Sequence, residues 1–226
     1  FVTFVEPTDG PVFTENQVGR SDHRSNTMST EYISNRRYNG NGVNVAIGDD
    51  GIIGPHIDYQ GRVVNRATAT NSTINHAGHC AGIMMGAGNL NQSTRGMGWG
   101  LKIHVYDYYA ALTAAPNTYT ADSMRVNSFS LGETCNAGYT ANAVTADRQM
   151  RQLPLMMHVF SAGNSGGTNC NWGAGTAWGQ ITGGYKMGKN VFTVANIDYL
   201  DVIAPSSSRG PASDGRLKPE ISAVGT

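Results

Sequence analysis

Val43-Asn44-Val45-Ala46-Ile47-Gly48-Asp49-Asp50-Gly51 is the stretch from which the architecture can be read. It is a short apolar run, rich in valine and isoleucine, that closes on two carboxylates and a glycine. A run of this length bounded by turn residues predicts a buried strand. Open α/β sheets present functional groups in this way, at the C-terminal ends of buried strands. An ordinary Asp-Gly turn carries the same local signature, so both readings stand at this point.

Working outward, Arg62-Val63-Val64, Leu101 to Tyr106, Val126 to Gly132, Met156 to Phe160 and Val191 to Ala195 read as further short strands. Thr27 to Arg37 and Thr145 to Arg151 read as helices. Ala110 to Met124 is alanine-rich, but Pro116 interrupts it, no apolar stripe is clear, and no element is assigned. Phe1 to Pro7 alternates like a strand, and Pro7 to Arg24 reads as a surface-running arm. Residues 1–26 are therefore expected to form an N-terminal arm or propeptide remnant, and 27–226 one catalytic-sized domain. Strands alternating with helices, most strands ending in small residues, predict a parallel α/β sheet. Asp49, Ser130 and Asn164 would then lie along one edge of it.

A second informative stretch is Asn75-His76-Ala77-Gly78-His79-Cys80-Ala81-Gly82. Histidines three apart share one helical face. A buried structural pair, a catalytic histidine and a zinc site all fit that spacing, and no metal is assigned.

Lys plus Arg (16) equals Asp plus Glu (16), so no field favours nucleic acid or an anionic membrane. Only 14% of residues are charged while 29 are glycine, which suits a body with many tight turns. No apolar run reaches the roughly 18 residues of a membrane span. The chain starts at Phe1 rather than methionine, and is expected to be a processed or trimmed product. Cys80, Cys135 and Cys170 cannot all pair with one another; one disulfide with one free thiol, or three thiols, are the alternatives.

The chemistry comes together in the order Asp, His and then a downstream hydroxyl. A buried Asp49 could orient an imidazolium at His76, and histidine is the usual base for a hydroxyl nucleophile. Asn164, on a tight Ala-Gly-Asn turn, could aim its amide at a developing oxyanion.

Five segments carrying these groups resemble the subtilisin-like serine proteases, the subtilases. Val45 to Ile52 resembles the family's Asp motif, and His76-Ala77-Gly78-His79-Cys80-Ala81-Gly82 its His motif. Ser128-Phe129-Ser130-Leu131-Gly132 resembles the strand that pairs with substrate, and Phe160-Ser161-Ala162-Gly163-Asn164 the oxyanion segment. Ser207 to Pro211 with Asp214 to Ile221 resembles the segment that precedes the nucleophile.

The resemblance implies a three-layer subtilisin-like α/β fold with a mostly parallel central sheet, incomplete at the C-terminus. It implies catalytic roles for Asp49, His76 and Asn164, and substrate binding by Ser130, Leu131, Gly132, Ala162 and Gly163. The substrate would be a polypeptide, and no cofactor is needed for the chemistry. The family's Gly-Thr-Ser-Met-Ala motif does not occur before Thr226. The nucleophilic serine is therefore expected in the C-terminal remainder of the same protease, as a separate chain or a continuing segment. A peptide-processing or ligating enzyme and a non-catalytic peptide-binding remnant are the alternatives.

The resemblance further implies a Cys135–Cys170 disulfide, which would suit a secreted or extracellular setting, periplasm and cell surface included. Cys80 is expected to be a free core thiol and His79 an interior, hydrogen-bonded residue. Asp58 matches a calcium-ligating position of some subtilases, but Asn89 to Thr94 does not clearly match the partner loop. Structural calcium is left open, and Asp58 is taken as a surface carboxylate. Glu133 would favour basic substrate residues. Ala77-Gly78 replaces the family's Gly-Thr, and Val224 its common proline. Over Ala110 to Met124 one layer helix is expected to be missing or irregular.

Overall fold

In the computed structural model, which describes residues 15–29, 37–68, 76–133, 135, 138–171 and 175–225, the apolar runs become strands. They are β1 (Asn44–Asp49), β2 (Val63–Asn65), β3 (Lys102–Asp107), β4 (Met124–Phe129), β5 (Met157–Ser161), β6 (Phe192–Ile197) and β7 (Ile221–Val224). All pair in parallel, in the order β2-β3-β1-β4-β5-β6-β7. The winding reverses at β1, with β2 and β3 on one side and the later strands on the other. In open α/β sheets the crevice forms outside the carboxyl ends at such a point. Asp49 closes β1, and Ser130 follows directly on its neighbour β4.

Helices α1 (Glu15–Asp22) and α2 (Ser25–Met28) precede the sheet; α3 (His76–Met85), α4 (Ala110–Ala121) and α5 (Ala141–Gln152) cover it. Successive side chains of a strand point to opposite faces, and β1 shows the consequence. Val45 and Ile47 pack with Ala77, Ala81 and Met85 of α3, while Ala46 belongs with Ala111, Leu112 and Ala115 of α4 and Ala146 of α5. One strand thus feeds two cores, and the expected three-layer α/β architecture is the one found. Gly48 is required by close approach. A Cβ there would stand 2.3 Å from the Tyr108 carbonyl oxygen and 2.6 Å from the Phe129 ring.

Several elements differ from the sequence reading. Ala110 to Met124 is not irregular: α4 runs through Pro116 for 12 residues and buries Ala111, Leu112, Ala115 and Thr118. That stripe is made of small residues, which is why it looked faint. α5 starts at Ala141, four positions before Thr145. β4 ends at Phe129, so Ser130 to Gly132 continue beyond the ladder. Ile221–Val224 adds an unanticipated parallel edge strand. In the arm, α1 sets Gly19 against Met97 and Val224, and His23 Nε2 accepts from the Val224 N–H at 3.0 Å. The expected strand over Phe1 to Pro7 lies outside the described residues, as does most of the expected helix from Thr27 to Arg37.

Candidate active site

The two carboxylates after β1 do different work. The first N–H groups of a helix lack intrahelical partners. Asp50 supplies them from outside α3, accepting from the N–H of His76 (3.2 Å) and of Ala77 (2.9 Å). Its negative charge also meets the positive end of the helix dipole. With the helix start fixed in this way, His76 reaches Asp49: Nδ1 stands 2.7 Å from Oδ1. The same oxygen accepts from the Asp50 N–H at 2.8 Å. Asp49 is 1% exposed, whereas the His76 side chain is about half open to solvent. A proton on Nδ1 shared with Asp49 leaves Nε2 as the basic nitrogen.

Cys80, one turn further along α3, is a free thiol, partly buried against the core cluster of Ala77 and Ala81 and also beside His76. Its Sγ lies 3.7 Å from His76 Nδ1 and 3.8 Å from Nε2, packed against the ring rather than along the lone pair of either nitrogen. Burial pushes this thiol up to about 12, partly opposed by hydrogen bonding with Ser130 and reinforced by the Asp49 charge. Asp49, His76 and Cys80 place ligand-type atoms within 4.8 Å of one another. The close Nδ1–Oδ1 contact and the position of Sγ are those of a hydrogen-bonded pair with a thiol beside it. His79 is exposed rather than interior, because the α3 face that carries it turns away from the sheet.

Asp49, Asp50 and His76 form one wall of a cleft of about 440 Å³, with Tyr108, Tyr109 and Ser130-Leu131-Gly132 forming the others. The Ala162-Gly163-Asn164 turn follows β5, the strand next to β4, and leaves Asn164 exposed. Gly163 has φ +115°, and a Cβ on it would come 2.5 Å from Thr182 Oγ1. The turn is pinned from behind by Ser208, whose N–H donates to the Gly163 carbonyl (2.9 Å) and whose Oγ accepts from the Ser165 N–H (3.0 Å). Thr182 N–H donates to the Ala162 carbonyl at 3.2 Å. Cys135 and Cys170 are joined, tying the segment after Gly132 to the loop after Asn164. The structure thus brings Asp49, His76 and Ser130 to Gly132 into one cleft, with Asn164 on the neighbouring strand end outside its lining. Sequence reasoning missed Asp50, Thr182 and Ser208 as supports, since none carries a local signature of what it holds.

Glu133 accepts a hydrogen bond from the Tyr109 hydroxyl at 3.0 Å. Burial, then Glu133, pushes Tyr109 up to about 12. Asp58 is buried rather than a surface carboxylate; its Oδ1 accepts from the Asn89 N–H at 2.7 Å and so ties the two loops. Among the described residues, no group of three His, Cys, Asp or Glu side chains forms around Asp58.

The model of the subtilase family matches residues 40–226. Solved structures share the fold at low identity. One is the psychrophilic subtilisin-like protease Apa1 from the Antarctic psychrotroph Pseudoalteromonas sp. AS-11: TM-score 0.62, 17% identity, covering 92% of this chain and 45% of that one. Another is the prenylagaramide maturation protease PagA, with TM-score 0.62 and 18% identity over 83% of this chain and 65% of that one. A third is the CspB protease of Clostridium perfringens, with TM-score 0.67 and 13% identity over 89% and 80%. The chain therefore spans less than two thirds of the first two of these proteins.

Proposed function

The chain belongs to the subtilase family, and on that premise we propose that it is the part of a serine endopeptidase that supplies the base, its orienting carboxylate and the substrate wall. The observation that carries this reading is the 2.7 Å contact between buried Asp49 and cleft-facing His76.

In the proposed reaction a serine from a segment following Thr226 attacks the scissile carbonyl. His76 Nε2 takes the hydroxyl proton and returns it to the leaving amine, and Asp49 holds the tautomer and stabilises the imidazolium. The acyl-serine is then hydrolysed by water activated in the same way. Asn164 would donate to the oxyanion together with the serine's backbone amide. The polypeptide would lie extended along Ser130-Leu131-Gly132, adding a strand there, with Ala162 and Gly163 backing the side chain next to the cleaved bond. Glu133 would favour basic residues. No cofactor enters these steps, and structural calcium is not assigned.

The Cys135–Cys170 disulfide supports secretion into an oxidising compartment. Among the described residues no helix is long and apolar enough to cross a membrane. A second reading is peptide maturation or ligation on the same site; maturation is what the fold neighbour PagA is named for.

The test is a fluorophosphonate probe on the full-length protein, followed by mass analysis of products from one peptide. Covalent labelling of a serine, lost in His76→Ala, is expected together with two hydrolytic fragments. No labelling would overturn the protease reading, and a cyclised or ligated product would favour the second.

A further inference from the structure

Lys186 lies in the tight helical turn Gly184–Met187 and is 1% exposed. Its Nζ donates to the Leu131 carbonyl oxygen at 2.8 Å and to Thr182 Oγ1 at 2.8 Å. Leu131 belongs to one wall of the cleft. Thr182 supports the neighbouring Ala162–Asn164 turn, because its N–H holds the Ala162 carbonyl and its Oγ1 lies 2.5 Å from where a Gly163 Cβ would be. The backbone of the turn is fixed in turn, since Thr193 Oγ1 on β6 donates to the Lys186 carbonyl at 2.8 Å.

The energetics argue against a role in stability alone. A buried ammonium is destabilising unless a carboxylate is bonded to it, and well-packed apolar residues commonly do as well. Of the charged groups nearby, Glu133 favours the ammonium across space, whereas Glu220 is bonded to Lys218 instead. Lys218 itself donates to Thr193 Oγ1 at 3.2 Å, which adds a second cation on that side. Burial accordingly lowers the Lys186 ammonium to about 8. What the ammonium does supply is directional hydrogen bonding to two oxygens in two different segments, and few side chains can replace that.

We propose that Lys186 is a positioning residue of the substrate cleft, an internal strap that fixes the spacing between Ser130–Gly132 and Ala162–Asn164. The Cys135–Cys170 bond joins the chain just beyond the same two segments, so they are held covalently outside and by the ammonium inside. The proposal rests on the protease reading only for its consequence, substrate binding. The strap itself is a statement about the fold.

The experiment uses full-length Lys186→Met, with hydrogen exchange read by mass spectrometry beside kinetics on an extended peptide and on a minimal single-residue ester. Amide exchange in 130–133 and 162–164 is expected to quicken about tenfold, the scale of one lost charge-assisted hydrogen bond, with the rest of the sheet unchanged. KM for the extended peptide is expected to rise by about the same factor, and KM for the ester, which spans fewer positions of Ser130–Gly132, to rise less. Unchanged exchange in both segments, or equal rises in KM for both substrates, would overturn the proposal. Should the methionine variant fail to fold, Thr182→Val removes one acceptor at nearly constant shape and is expected to show the same pattern. A wild type that cleaves neither substrate sinks the protease reading, and exchange alone then decides the strap.

Discussion

At Asp49 the chemistry depends on charge more than on shape. An asparagine would fill the same volume, yet it favours the wrong imidazole tautomer and cannot stabilise an imidazolium. Asp49→Asn in the full-length protein is expected to lower kcat about 10²–10⁴-fold with little change in melting temperature. Kinetics beside a melting curve checks this, and parallel losses would make the residue structural. Cys80 invites the opposite test. With its thiol pushed up to about 12, almost none is thiolate at pH 8. Alkylation of native protein should therefore run orders of magnitude slower at Cys80 than in the unfolded chain. Rapid labelling would mean that the site stabilises a thiolate after all. The position of this residue was only half legible: the spacing of four puts it on the face of His76. Which way that face turns is set by Ala77 and Ala81 packing on β1.

Among the elements, α4 shows how a local rule can be outweighed. Pro116 has no N–H for the Leu112 carbonyl four residues earlier and crowds it, a combination that usually ends a helix. Here the freed carbonyl accepts from Gln149 Nε2 of α5 at 2.9 Å. The Oε1 of the same amide lies 2.9 Å from His158 Nε2 on β5. One side chain thus satisfies a buried carbonyl and the Nε2 of a buried imidazole, and α4 continues. Gln149→Met is expected to orphan both and to cost about 2–4 kcal/mol, since each buried unsatisfied group costs roughly 1–3. Urea unfolding of the variant measures it, and a loss below about 0.5 kcal/mol would show that water replaces the amide. The sequence makes Pro116 visible but not Gln149, 33 positions away in the chain.

For the molecule as a whole, two buried groups make stability climb with pH. Burial lowers His158 from 6.5 to about 4. The unfolded chain thus binds the extra proton first, and stability that is full above pH 6.5 is lost as pH falls through 4. The loss is on the order of 3 kcal/mol. Lys186, lowered from 10.5 to about 8, works in the same direction at the alkaline end, adding stability between those values. Unfolding midpoints at pH 4, 7 and 9.5 should rise in that order, and His158→Gln should flatten the acid limb; an unchanged acid limb would refute the assignment. Removing the Cys135–Cys170 bond, whose partners are 35 positions apart, should cost about 2–4 kcal/mol in the same assay. The sequence by itself determined the short apolar strands and the order of the motifs, because each is written in neighbouring residues and chain order. Tertiary structure alone decided which face of α3 meets the cleft, how α4 survives its proline and how Asp49 meets His76. Leu131 and Lys186 are 55 residues apart, and only the winding of the sheet brings that carbonyl and that ammonium within 2.8 Å.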